Sequence, residues 1–131
     1  MNQNGTSRGF TLLELTVVIL VLLSLASIGL FTTRKLDEWK AGRNASETLR
    51  YVYSAQRLYL SDHPTVPVAS LSAENLIPYL PGDATEMPTV ESLTGEILVI
   101  SVTVSPPVVL DGSEVYDPSG SSTDSLWDVG Q

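Results

Sequence analysis

Between Thr11 and Pro64 the chain contains no proline, and its only glycines there are Gly29 and Gly42. An interior glycine costs a helix only about 1 kcal/mol, against about 3 kcal/mol for a proline. Nothing in that interval therefore stops a helix once it has started. The pattern predicts one helix from Phe10 to Asp62, about 80 Å long at 1.5 Å per residue. Ser61-Asp62-His63-Pro64 ends it, because proline disfavours helix at the residue before it.

The two halves of this helix have different surfaces. From Phe10 to Phe31, 22 residues, the side chains are apolar all round apart from Glu14 and scattered Thr and Ser. A bilayer core about 30 Å thick takes roughly 20 such residues, so this half is long enough to span one. Residues 32–63 are amphipathic, with Ala41, Ala45, Leu49, Val52, Gln56 and Tyr59 recurring at spacings of three and four. That stripe needs a partner, and residues 64–131 are the nearest source.

The partner region predicts short elements. Serines at 70 and 72 precede a short helix that runs to Ile77. Glu96 to Val104 is β-branched and apolar, a strand with Leu98, Ile100, Val102 and Val104 on one face. Val108 to Tyr116 forms a hairpin, with Asp111-Gly112 suited to a type I′ turn. Residues 64–131 are few for an independent core, so this head is expected to fold against the amphipathic half of the helix. The fold class is α+β: a long N-terminal helix packed on a small antiparallel sheet.

Charge is divided along the chain. Its net value is −8, yet all seven Lys and Arg lie in residues 1–57 and residues 58–131 carry acids alone. An acidic head repels nucleic-acid phosphates and anionic lipid, so no nucleic acid is expected on it. The chain has no cysteine, which excludes disulfides, a lipidated N-terminal cysteine and a Cys/His nucleophile pair. His63 is the single histidine; beside Pro64 at a helix end, it fits a C-terminal cap or plain surface residue better than a ligand. No serine sits in a nucleophile-elbow pattern, and no enzymatic activity is expected.

The most specific motif lies where polar sequence meets apolar: Arg8-Gly9 followed by Phe10-Thr-Leu-Leu-Glu14. A carboxylate inside an apolar helix costs about 2.5–3.5 kcal/mol at the bilayer centre and less near the interface, so Glu14 calls for a cationic partner. This junction resembles the processing site of the type IV pilin family, which includes the pseudopilins of type II secretion. The resemblance implies a leader of residues 1–9, held in the cytoplasm by Arg8, and cleavage after Gly9 by a prepilin peptidase that also N-methylates Phe10. It implies that Glu14 pairs with the terminal amine, often a neighbouring subunit's, during assembly on an inner-membrane platform. The expected product is a pilus-like or secretion pseudopilus filament whose core is the bundled helices 10–31, with the head outside the cytoplasm. Many members carry a proline where this chain has Phe31 and a glycine where it has Leu23, which keeps a minor, initiating or tip subunit as an alternative.

Three other readings compete with it. Ser24-Leu-Ala26 offers a signal-peptidase site, against which stand the length of the apolar run and its acid. An uncleaved anchor explains the length but not Glu14. A membrane-tethered binding domain that never polymerises is the alternative from another functional class.

Two further expectations concern the head. Disulfide-free major pseudopilins use a C-terminal calcium loop, which residues 117–128 resemble faintly, with Asp117, Asp124 and Asp128 as the oxygen ligands. The competing reading is a solvated acidic tail anchored by Leu126 and Trp127. Stacked subunits would also bring acidic heads near Arg43, Arg50 and Arg57 of their neighbours.

Overall fold

The computed structural model describes Gly9 and residues 11–130. It divides into two units, Met1–Leu36 and Asp37–Gln131, with the boundary inside a single helix, α1 (Leu12–Asp62, 51 residues). In the first unit every described residue from 11 to 36 is exposed. The second unit is an α+β body in which α1 packs on a small antiparallel sheet, a pilin-like arrangement.

Four strands in the order β1-β2-β3-β4 make that sheet: β1 (Val90–Glu91), β2 (Ile97–Ser101), β3 (Val108–Asp111) and β4 (Glu114–Val115). All neighbours are antiparallel, with Val90 opposite Leu98, Val99 opposite Leu110, and Leu110 opposite Val115. A short α2 (Ala73–Leu76) follows α1, flanked by 3-10 turns at Val68–Ser70 and Ile77–Tyr79. Its start is held by the Asn75 carboxamide oxygen, which accepts the Ser72 amide at 2.9 Å.

The predicted stripe on α1 is the helix side of the core. Ala45, Leu49, Val52 and Gln56 are buried, with Ala55 beside them, and Ala41 and Tyr59 flank them. Leu98, Ile100, Val102 and Val109 face them from the sheet, and Leu71, Leu76 and Leu80 close one side. Gln56, a polar residue on an apolar stripe, has a specific task. Its amide nitrogen donates to the carbonyls of Val102 and Val104, each at 2.9 Å, just past the end of β2. Those carbonyls would otherwise need strand partners or water. The strand accordingly stops at Ser101, short of the expected Val104, whose side chain is exposed.

The hairpin also departs from expectation. Asp111 pairs with Glu114, so the central residues are Gly112-Ser113. Only Gly112 has positive φ, at 63°. That is the pattern of a type II′ turn, one residue later than the expected Asp-Gly type I′ turn. His63 behaves as the predicted cap: its Nδ1 lies 3.1 Å from the Tyr59 carbonyl, and its ring stacks on Tyr59 with centroids 4.3 Å apart.

The C-terminal segment returns to α1. Trp127 is buried, its ring edge-on to Tyr116, and its amide donates to the Gly42 carbonyl at 3.1 Å. A Cβ on Gly42 would stand 2.9 Å from Trp127 Nε1 and 3.2 Å from Leu126 Cβ, so the indole seats only because residue 42 has no side chain. Trp127 and Ser125 hold positive φ, 65° and 59°, a conformation unfavourable for bulky residues that packing must offset.

Gly42→Ala is therefore expected to destabilise the second unit by about 1–3 kcal/mol through overpacking, despite the better helix propensity of alanine. Trp127→Ala should cost about 3–5 kcal/mol. Urea unfolding of the detergent-solubilised protein, followed by fluorescence and circular dichroism, measures both; a Gly42→Ala variant more stable than the parent would contradict the seating.

Candidate functional site

The first candidate surface is the apolar half of α1 and its start. Helix α1 is long and apolar enough to cross a membrane, and the 20 residues from Leu12 to Phe31 cover about 30 Å. Hydroxyls within that half do not disturb its apolar character. Thr16, Ser24 and Ser27, and just beyond that half Thr32 and Thr33, each donate to the carbonyl four residues back, at 2.8–3.0 Å. Back-bonding of this kind hides a hydroxyl against its own helix and leaves methyl and methylene groups outward.

Glu14 stands in the first turn and has a partner inside the chain. Its Oε2 accepts the Thr11 amide at 3.2 Å, while the Glu14 amide donates to Thr11 Oγ1 at 3.2 Å. This is a reciprocal capping box, which satisfies two of the donors a helix start leaves open and places a negative charge at the positive end of the dipole. The spacing Thr11-Leu-Leu-Glu14 carries that signal in the sequence; an emphasis on the acid alone overlooks it. Gly9 is exposed. Arg8 and Phe10, named above for leader charge and processing, lie outside the described residues.

The three aspartates expected as calcium ligands are distributed differently. Asp117 Oδ1 accepts the amide and the hydroxyl of Ser119. Asp124 Oδ1 accepts the Leu126 amide at 3.0 Å, and Asp128 Oδ1 accepts the Ser125 amide at 3.2 Å. Asp128 Oδ2 is buried and meets no donor. Among the described residues no three of His, Cys, Asp or Glu form a group that could hold a metal ion.

Asp124 and Asp128 instead behave as a carboxyl pair. Burial, then the neighbouring Asp124 carboxyl, raises Asp128 above its ordinary 3.8. Burial alone would raise Asp124 too, but the neighbouring Asp128 carboxyl, the Leu126 amide and the nearby Ser119 hydroxyl outweigh it and hold Asp124 low. Two neighbouring carboxyls whose titrations are linked move apart in this way, one upward and one downward.

Arg50, expected to face a neighbouring head, is committed within the chain. Its Nε donates to the Val129 carbonyl and its terminal nitrogen to Ser125 Oγ, both at 2.9 Å. Arg43 and Arg57 lie over the Trp39 and Tyr53 rings, 6.0 and 5.8 Å from the centroids, and have no carboxylate partner among the described residues. A groove of about 430 Å³ between α1 and β1 is lined by Asp37, Glu38, Asn44, Thr48, Glu91 and Ser92, among others. Its acidic lining suits a cationic visitor better than an anionic one.

No protein-family profile, curated protein or solved structure matches the chain.

The carboxyl pair has a pH signature. A folded-state value raised at Asp128 favours the fold below about pH 3.8, and that contribution is lost as pH rises through the raised value. The lowered value at Asp124 acts in the opposite sense, present above about 3.8 and lost as pH falls through it. Asp128→Asn keeps the hydrogen bonding without the charge. Its melting temperature should exceed the parent's by a few degrees at pH 7, with the gap closing towards pH 4. A gap independent of pH would exclude the raised Asp128 carboxyl as its cause.

Proposed function

We propose that the chain is a type IV pilin-like filament subunit, made as a precursor, cut after Gly9 and polymerised through α1. The observation that carries this reading is the first unit's surface: a span-length helix, apolar on every side, with its hydroxyls back-bonded and one carboxylate in its first turn. A soluble fold would bury such a surface. In a membrane it meets lipid, and in a fibre it meets other copies of itself. Exchange between the two is feasible because helices in an apolar medium associate through packing and polar contacts rather than through exclusion of water.

Glu14 supplies the polar contact in this scheme. Cleavage after Gly9 creates an amine at Phe10, one residue before the Thr11 amide that Glu14 already accepts. The capping box thus positions the carboxylate at the end of the helix where that charge arises, whether the amine belongs to the same subunit or to the next. The implied partners are a prepilin peptidase, further copies or related subunits, and an inner-membrane assembly platform. On this reading the precursor lies in the inner membrane with its head, residues 64–131, outside the cytoplasm.

A non-polymerising membrane anchor is the second reading, favoured by the capping box, because a cap gives Glu14 a purely local use. Two variants separate them. Glutamine serves equally well at that position of a capping box, so Glu14→Gln keeps the cap and removes the charge, whereas Glu14→Ala removes both. A filament subunit is expected to lose assembly in both variants, scored by electron microscopy of sheared fibres. If Glu14→Gln assembles like the parent, the carboxylate acts only as a cap. The intact mass of membrane-derived protein completes the test: a chain starting at N-methylated Phe10 supports the reading, and one starting at Met1 or Ser27 removes it.

A further inference from the structure

The apolar half of α1 gives way to charge at once. Phe31, 65% exposed, is the last residue of the apolar run. Residues 32–43 then carry Arg34, Lys35, Lys40 and Arg43 against Asp37 and Glu38, whereas residues 58–131 carry no Lys or Arg. Arg34 and Lys35 are exposed, and both belong to the first unit. Thr32 and Thr33 beside them donate their hydroxyls to the Ile28 and Gly29 carbonyls at 3.0 Å. The two cations are thus the polar groups that this turn presents outward.

Their height along the helix decides what they meet. With Leu12 to Phe31 crossing the hydrocarbon core, the Arg34 and Lys35 backbones stand about 4.5 and 6 Å beyond it. The headgroup layer adds roughly 5–7 Å on each side, so both lie within it. Helical side chains also slope toward the N-terminus, here back toward the hydrocarbon edge. Lys35 shows this: its Nζ lies 5.8 Å from the Phe31 ring centroid, one turn back. The apolar stem then stays with the acyl chains while the ammonium meets phosphate. Lys40 and Arg43 follow further along α1, and their attraction fades over a Debye length of about 8 Å. Lys and Arg ordinarily collect on the cytoplasmic side of a span. Four of them follow the end that the reading above puts outside, so orientation does not account for them.

We infer that Arg34 and Lys35, with Phe31, form a collar that binds anionic phospholipid headgroups at the C-terminal end of the span. The contact rests on the membrane-spanning part of the function proposed above and not on polymerisation. Lipid, rather than the acids of a second copy, is the occupant because the collar adjoins the apolar run directly. A helix seated in a bilayer places it among phosphates before another copy is met. The collar holds the precursor in its leaflet and has to be released when a subunit leaves the membrane. The anionic lipid content of that leaflet therefore sets how readily subunits are extracted.

The full-length protein in phosphatidylcholine vesicles gives the test. Phe31→Trp combined with Trp39→Phe puts an indole at the collar, while buried Trp127 stays as a constant reference. The vesicles carry equal fractions of either brominated phosphatidylglycerol or brominated phosphatidylcholine as quencher. Quenching is expected to report an association constant about fivefold higher for the anionic lipid. Salt at about 1 M should remove the difference. Arg34→Gln with Lys35→Gln should also remove it, and Arg34→Lys with Lys35→Arg should retain it, all with unchanged circular dichroism. Equal quenching by the two lipids, or a preference that persists in the glutamine variant, would overturn the inference. Equal quenching with Lys35 linked by carbodiimide to a carboxylate of a second copy would assign the collar to subunit contacts instead. Flotation with neutral vesicles separates the two readings. Protein that does not float removes the membrane span and this contact with it; protein that inserts without a lipid preference removes this contact alone.

Discussion

Everything in the second unit depends on the packing of one helix face against one sheet face. Leu49, Val52 and Ala55 have no exposed surface at all, and Val109 opposite them has none either. Burying a Leu or Val side chain is worth about 1.5–3 kcal/mol, and a four-stranded sheet with two strands of only two residues has little else to hold it. The polar connections serve the same seam. Gln56 ties the end of β2 to the helix, Trp127 ties the C-terminal segment to Gly42, and Arg50 ties residues 125 and 129. Each spans more than forty residues of sequence and ends on α1. The helix is thus the scaffold on which a chain segment too small to fold alone acquires a core.

That dependence explains what was legible in the sequence. The absence of proline between residues 11 and 64 and the three-and-four spacing from Ala41 to Tyr59 are local signals, repeated over many residues, and the structure follows them. The strand at Ile97–Ser101 and the hairpin after Val108 were also visible, through β-branched runs and a turn glycine. What escaped is set by single long-range contacts. Strand β1 is two residues long and exists because Val90 meets Leu98; no periodicity can announce it. Gly42 reads as a tolerated helix glycine until Trp127 lies against it. Glu14 shows the converse: Thr-x-x-Glu is a start signal legible in the sequence, and it gives the acid a local use that its place beside an apolar run does not suggest.

Under the proposed filament reading, the same residue would let a precursor be stable in one medium and assemble in another. A carboxylate with no partner at a membrane interface would either protonate or draw water into the apolar region. The Thr11 amide and the helix dipole meet part of that demand locally, so Glu14 does not need a second subunit for the helix to form. A fully ionised amine is nevertheless a stronger partner than a backbone N–H. An assembly driven by Glu14 therefore exchanges a modest local contact for a charge-assisted one, at little cost to the helix start.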